Sequence, residues 1–319
     1  MSRIGVLINP RSHWNKRRRS AMRDLLSRFP DVLHAELDGQ RGVEDVLREF
    51  ARREVDTLVI GGGDGTVQKL LSALFNEALF EQPPALAVLP TGMANLIASN
   101  VGLKGSPRQS LVRLITRRQS GTPIAQFKRR LLRVMLSADR PPEYGMLLGT
   151  AAFYRGVMLT MNKVHPLGVE HSVATGLALA WSLAEALLRR SGPDSIYQGD
   201  TIAIELDGRR IPEREYIVVM ATTHDRLSLG AVPFWGQGSG AVRFTSIAFP
   251  PHRLARALLP TLRGRPRPWM RDSGYVSENA HALSLRMTCR FVLDGEEFAP
   301  TADDPVIVTA DQEAVFLRC

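Results

Sequence analysis

Apolar residues in the first third of the chain fall into short blocks of two alternating kinds. Residues 3–8, 32–37, 55–60 and 85–89 are compact runs, mostly Val, Ile, Leu and Ala, and turn signals such as Asn9-Pro10 and Pro90 close two of them. Between them, Met22, Leu25, Leu26 and Phe29, and then Val46, Leu47 and Phe50, recur at the spacing of one helix face. The pattern predicts strands over the four runs and helices over 15–29, 43–53 and 67–79. Strands that alternate with helices pair in parallel, so this part of the chain is expected to be a layered α/β domain.

The pattern changes near Gly121-Thr122-Pro123. Residues 131–136, 201–206, 216–221, 242–249, 282–293 and 306–309 are extended and partly alternating, and the long helical stretch among them is 169–190. The 319 residues suit two domains at about 150 residues each. We therefore expect an α/β domain over 1–122 and a β-rich domain over 123–319. Within the helical stretch, residues 173–188 (VATGLALAWSLAEALL) are too short for a bilayer span of about 20 and contain Glu185. They read as a buried or amphipathic helix, with a membrane-surface contact as the sharper alternative, because Arg189 and Arg190 follow.

Composition narrows the class. Hydrophobic residues make up 44% and charged residues 23%, which excludes a disordered chain. Only Cys289 and Cys319 are cysteines, which excludes a disulfide framework or a Cys-rich zinc site and fits a cytoplasmic protein. Residues 1–10 lack the apolar core and cleavage site of a secretory leader. The net charge is +9 and unevenly spread: residues 82–138 contain no acid, and further basic clusters lie at Lys16–Arg23 and Arg253–Arg271. Such fields suit anionic partners, although a solvated basic face is the plainer reading. Aromatic residues do not interleave with the arginines, so nucleic acid is not the expected partner.

The chemistry concentrates where the strand at 55–60 runs into Gly61-Gly62-Gly63-Asp64-Gly65-Thr66 before a helix. Glycines let backbone N–H groups approach phosphate oxygens closely, and a helix start adds partial positive charge. Thr66 can donate a hydroxyl hydrogen bond. Asp64 repels phosphate, so it is expected either to orient the loop or to act through Mg²⁺. The string lacks the Gly-Lys-Ser/Thr of a P-loop and the spacing of a dinucleotide fingerprint.

The GGDGT string instead resembles the superfamily of diacylglycerol, sphingosine and NAD kinases and phosphofructokinases. Three further segments select the diacylglycerol kinase catalytic-domain family. Ile8-Asn9-Pro10-Arg11-Ser12 resembles its opening N-P-x-S-G. Residues 89–98 (LPTGMANLIA), containing Gly92 and Asn95, resemble its P-x-G-T-x-N-D-x-A. Leu293-Asp294-Gly295-Glu296 resembles its D-G-E. The resemblance implies a three-layer N-terminal α/β domain, a C-terminal β-sandwich and an active site in the cleft between them. It implies ATP-dependent phosphorylation of a lipid hydroxyl, with Mg²⁺ carried by ATP and the substrate met at an anionic membrane surface, peripheral to the inner face. Gly62, Gly63, Asp64, Gly65, Thr66, Val67 and Gln68 would hold the nucleotide phosphates with Asn9, Ser12, Gly92 and Asn95. Glu296 would be the base, Asp294 its orienter or metal partner, and Asp64 a third catalytic residue. By itself an Asp-Gly pair is a hairpin turn, which is the reading given to Asp207-Gly208.

The chain departs from the family at His13 after Ser12, at Met93 for threonine and at Leu96 for aspartate. Ser239-Gly240 stands where relatives have Asp-Gly, so the structural Mg²⁺ held by that aspartate is not expected. These departures motivate the alternatives of a non-catalytic nucleotide- or lipid-binding homologue and an NAD kinase-like enzyme with a non-lipid acceptor.

Overall fold

A computed structural model describes residues 3–38, 41–161, 196–301 and 303–319. The chain forms two compact units. One comprises Met1–Leu131, Glu143–Gly145 and Gln312–Cys319, and the other Leu132–Pro142 and Met146–Asp311.

In the first unit the apolar blocks become strands Ile4–Ile8 (β1), Leu33–Glu36 (β2), Thr57–Gly61 (β3) and Ala85–Val88 (β4). All pair in parallel, in the order β2-β1-β3-β4. Every residue of β1 and β3 is buried, as expected for parallel strands covered on both faces. The covers are helices His13–Leu26 (α1), Val43–Arg52 (α2), Asp64–Asn76 (α3), Leu96–Val101 (α4) and Pro107–Gln119 (α5). Ile4, Val6 and Ile8 of β1 join a core with residues of α1 and α5. The opposite side meets α2: a Cβ at Gly5 would stand 2.8 Å from the Phe50 ring, so the strand is glycine where that helix crosses.

The second unit is antiparallel. Its strands include Leu147–Ala151 (β5), Asp200–Leu206 (β6), Arg209–Thr222 (β7), Val242–Ala248 (β8), Tyr275–Ala280 (β9), Ala282–Met287 (β10), Phe291–Leu293 (β11) and Glu296–Phe298 (β12). The first half of β7 pairs with β6, and its second half pairs with β5 and β8. Helix Ala152–Leu159 (α6) follows β5 directly. Leu148, Ile204, Val219, Phe244, Leu285 and Phe291 are among the fully buried or nearly fully buried centre of this unit.

The strand expected at 306–309 is Val306–Arg318 (β13), and its last residues belong to the first unit, where Phe316 pairs with Leu86. Asp207-Gly208 is the expected hairpin turn, with φ of 48° and 81°. The apolar stretch at 173–188, and the helix expected at 169–190, lie outside the described residues. No helix among the described residues is long and apolar enough to cross a membrane.

Candidate active site

The glycine loop is short, because α3 starts at Asp64 rather than at 67. Gly63 is the residue before the helix, extended at φ −84° and ψ 179°, and Asp64, Gly65 and Thr66 form the first turn. The weak helix propensity of this Asp-Gly-Thr string hides the start, yet a first turn tolerates it because its N–H groups need no intrahelical partner.

Three segments converge on this turn. The Asn9 amide nitrogen donates to the Thr66 hydroxyl at 2.8 Å, and the Asn9 backbone N–H donates to Gly61 O at 2.8 Å. Thr66 therefore accepts from Asn9 and keeps its own proton to donate. The Ser12 hydroxyl donates to Asn9 O at 2.9 Å, closing the turn before α1. On the other side, Gly92 lies against Gly63: a Cβ at Gly92 would be 2.5 Å from Gly63 Cα. Asn95, in the left-handed region at φ 51°, accepts from Gly92 N–H at 2.8 Å and donates to Gly92 O at 3.0 Å.

Asp64 ties the loop to the 89–98 segment. Its two carboxylate oxygens accept the Leu96 and Ile97 N–H groups at 3.0 and 2.9 Å, so it caps α4. Burial pushes its carboxyl above the usual aspartate value, against these two hydrogen bonds, which pull it down. Leu96, where relatives have aspartate, is buried and contributes its backbone N–H to this clamp.

Two of the expected phosphate-loop residues have other roles. Val67 is a core residue whose N–H already bonds Gly63 O at 3.1 Å. The Gln68 amide donates to the Ser72 hydroxyl at 3.0 Å and to Glu143 at 2.9 Å. Ser72 donates to the same Glu143 oxygen at 2.8 Å and accepts the Tyr144 N–H at 2.9 Å. The Thr66 N–H likewise bonds Gly63 O at 2.9 Å, so the groups left for an anion are the N–H groups of Gly62–Gly65 and the Thr66 hydroxyl.

Asp294 and Glu296 lie in the second unit. Asp294, at φ 50°, and Gly295, at φ 90°, form a two-residue turn between β11 and β12, where Leu293 pairs with Glu296. Asp294 is 5% exposed, and its oxygens accept the Met146 and Leu147 N–H groups at 2.7 and 3.0 Å. Glu296 is half-buried at the start of β12. Beside it, Glu297 accepts from the Tyr154 hydroxyl of α6 at 2.8 Å and pairs with Arg290. Ser239, at the site of the missing aspartate, shares a 3.1 Å hydrogen bond with His281.

Sequence reasoning missed Asn15, Thr91 and Glu143. The buried Asn15 amide donates to Asn9 O and Gly61 O at 2.9 and 2.8 Å, and its Oδ1 has no partner among the described residues. Its signal was its place three residues after Ser12, the N3 position of a helix. Thr91 donates to Gly62 O at 3.0 Å from within the LPTGMANLIA segment itself. Glu143 had no sequence signal, because its partners are on α3.

Residues 3–127 match the family model described as diacylglycerol kinase catalytic domain. A protein of Stenotrophomonas maltophilia called probable lipid kinase YegS-like is 30% identical over 190 residues, 58% of each chain. One of the same name from an Enterobacter species is 23% identical over 171 residues, 50% of this chain and 56% of its own. The chain spans a little over half the length of these curated relatives. Among solved structures, a putative diacylglycerol kinase from Bacillus anthracis superposes with a TM-score of 0.65. It has 16% identity, and the match covers 100% of this chain and 97% of the other. That likeness establishes the shared fold.

Proposed function

We propose that this chain, with its diacylglycerol kinase catalytic domain over residues 3–127, is a lipid kinase that transfers the γ-phosphoryl group of ATP to a lipid hydroxyl. The observation that carries the reading is the Asp64 clamp, which makes two separate family motifs one surface: its carboxylate holds α4 while Gly63 and Gly92 touch. Phosphoryl transfer needs positioning and charge stabilisation more than covalent chemistry. Backbone N–H groups of Gly62–Gly65 would orient the triphosphate, with the Thr66 hydroxyl donating and Asn9 fixing its rotamer. Mg²⁺ would arrive with the nucleotide and offset its charge. Asp64 has both oxygens on backbone N–H groups and is assigned a positioning role.

In the reaction the lipid hydroxyl oxygen forms a bond to the γ-phosphorus, the bond from that phosphorus to the β–γ bridging oxygen breaks, and ADP leaves. The hydroxyl proton passes to Glu296, a carboxylate suited to general-base work. Asp294 holds the turn that carries Glu296. The membrane is the natural place to meet such a substrate.

The test is transfer of label from [γ-³²P]ATP with Mg²⁺ into a lipid panel in mixed micelles. Label in one lipid with wild type and none with Glu296→Gln supports the reading and names the substrate class. No transfer while nucleotide still binds would overturn it in favour of a binding protein. Label in NAD alone would make it an NAD kinase-like enzyme.

A further inference from the structure

From Arg226 to Arg271 the chain has eight arginines and no acidic residue. Part of this run is helix Leu254–Leu262, whose amphipathy is unusual. Ala257 and Thr261 are its buried residues, four apart on one face. The opposite face carries Arg256, Leu259 and, just beyond the helix, Arg263, all exposed. Leu259 is 53% exposed at the centre of that solvent face. A second exposed leucine belongs to the same run: Leu229 is 66% exposed at the tip of the turn Ser228–Gly230. Its φ of 57° is a left-handed conformation that a leucine adopts only when its surroundings impose it. The turn is fastened to the helix end, because Val232 N–H donates to Leu262 O at 2.8 Å. Gly264 permits the approach, since a Cβ there would stand 2.6 Å from Val232 O.

Some basic residues elsewhere are paired, and within this run Arg243 is paired with Asp225. Arg23 is paired with Glu36, and Lys128 and Arg130 lie near Glu313. Among the described residues, Arg256, Arg263, Arg265, Arg267 and Arg271 make no ion pair, and all are exposed. Arg253 lies over the Trp269 ring at 5.8 Å.

We propose that helix Leu254–Leu262 and the turn Ser228–Gly230 form a docking surface for an anionic lipid bilayer. Leu229 and Leu259 enter the boundary between headgroups and acyl chains, and the arginines around them meet lipid phosphate. Exposed leucines in an arginine-rich run without acid match that interface on both counts. A nucleic acid would satisfy the arginines and leave the leucines unburied. A second copy of this chain would set like charges face to face. The surface supplies the membrane contact of the kinase reading and rests on that reading only for its purpose.

The test is co-sedimentation of the full chain with vesicles of equimolar phosphatidylcholine and phosphatidylglycerol, beside phosphatidylcholine alone. Wild type is expected to bind the anionic vesicles and to be released by salt. Leu229→Asp with Leu259→Asp should weaken binding by about tenfold or more. Arg256→Gln with Arg263→Gln should weaken it by about fivefold per arginine. All four side chains are exposed, so both variants should melt as wild type does. Undiminished binding by both variants overturns the proposal. So does tighter binding to a DNA duplex that ignores the leucine changes. Turnover of a water-soluble short-chain diacylglycerol separates the two readings. Vesicle binding without transfer to this or any lipid of the panel leaves the surface standing and removes the kinase. Transfer without vesicle binding does the reverse.

Discussion

Asp294 and Asp207 do the same structural work in different surroundings. Each opens a two-residue Asp-Gly turn at positive φ, and each carboxylate accepts two backbone N–H groups from a neighbouring segment. Asp294 is buried and Asp207 exposed, so water can replace the second but not the first. Asparagine tolerates the left-handed conformation, which isolates the hydrogen bonds. Asp294→Asn should cost about 1–3 kcal/mol, seen as a lower melting temperature, and Asp207→Asn clearly less. The contrast also divides the D-G-E motif: the turn accounts for Asp and Gly, and the proposed base role falls on Glu296. Glu296→Gln should therefore cut phosphoryl transfer by about 10²–10⁴-fold at an unchanged melting temperature. The motif was legible in the sequence, but this division of labour was not. Asp294 is held to Met146 and Leu147, about 150 residues earlier in the chain.

At the scale of elements, the close contact of Gly63 and Gly92 sets how α3 and α4 start. Gly92→Ala forces these backbones apart, at about 1–3 kcal/mol for overpacking. Binding of a fluorescent ATP analogue should weaken sharply while helical circular dichroism persists. Helix α6 offers a pH readout. Arg290, and then Tyr154, hold the Glu297 carboxyl below its usual value of 4.5. This contribution is complete above 4.5 and is lost as pH falls through the lower folded value. Amide protection factors across Ala152–Leu159, corrected for the pH dependence of intrinsic exchange, should fall on acidification in wild type, and Glu297→Gln should show no such step. An acid-insensitive wild type would detach α6 from this pair. The sequence marked the helices of the first unit by apolar spacing. It placed the start of α3 three residues late because its first turn is Asp-Gly-Thr, which carries no apolar signal.

At the scale of the molecule, the strand run at 306–309 gave no sign of how far the strand continues or what it reaches. Alternation identifies a strand, and its partner is fixed by the tertiary fold. Phe316 and Leu317 are fully buried in the first unit. Arg113 donates to Cys319 O, and Arg318 donates to Asn100 O at 2.8 Å while lying over the Phe127 ring. Losing one buried Phe and one buried Leu costs about 5 kcal/mol or more together, against a total stability of ~5–15 kcal/mol. A chain cut after Asp311 should lose the cooperative melting of its α/β unit, and a normal transition would show this edge to be dispensable.

This arrangement also orders events during synthesis. Domains generally fold as they emerge, the N-terminal one first. Here the parallel sheet can assemble early, but its β4 edge stays uncovered until residues 312–319 leave the ribosome. The nascent chain must hold a bare sheet edge while residues 89–311 are made, and chaperones that guard such edges are the helpers it should need most.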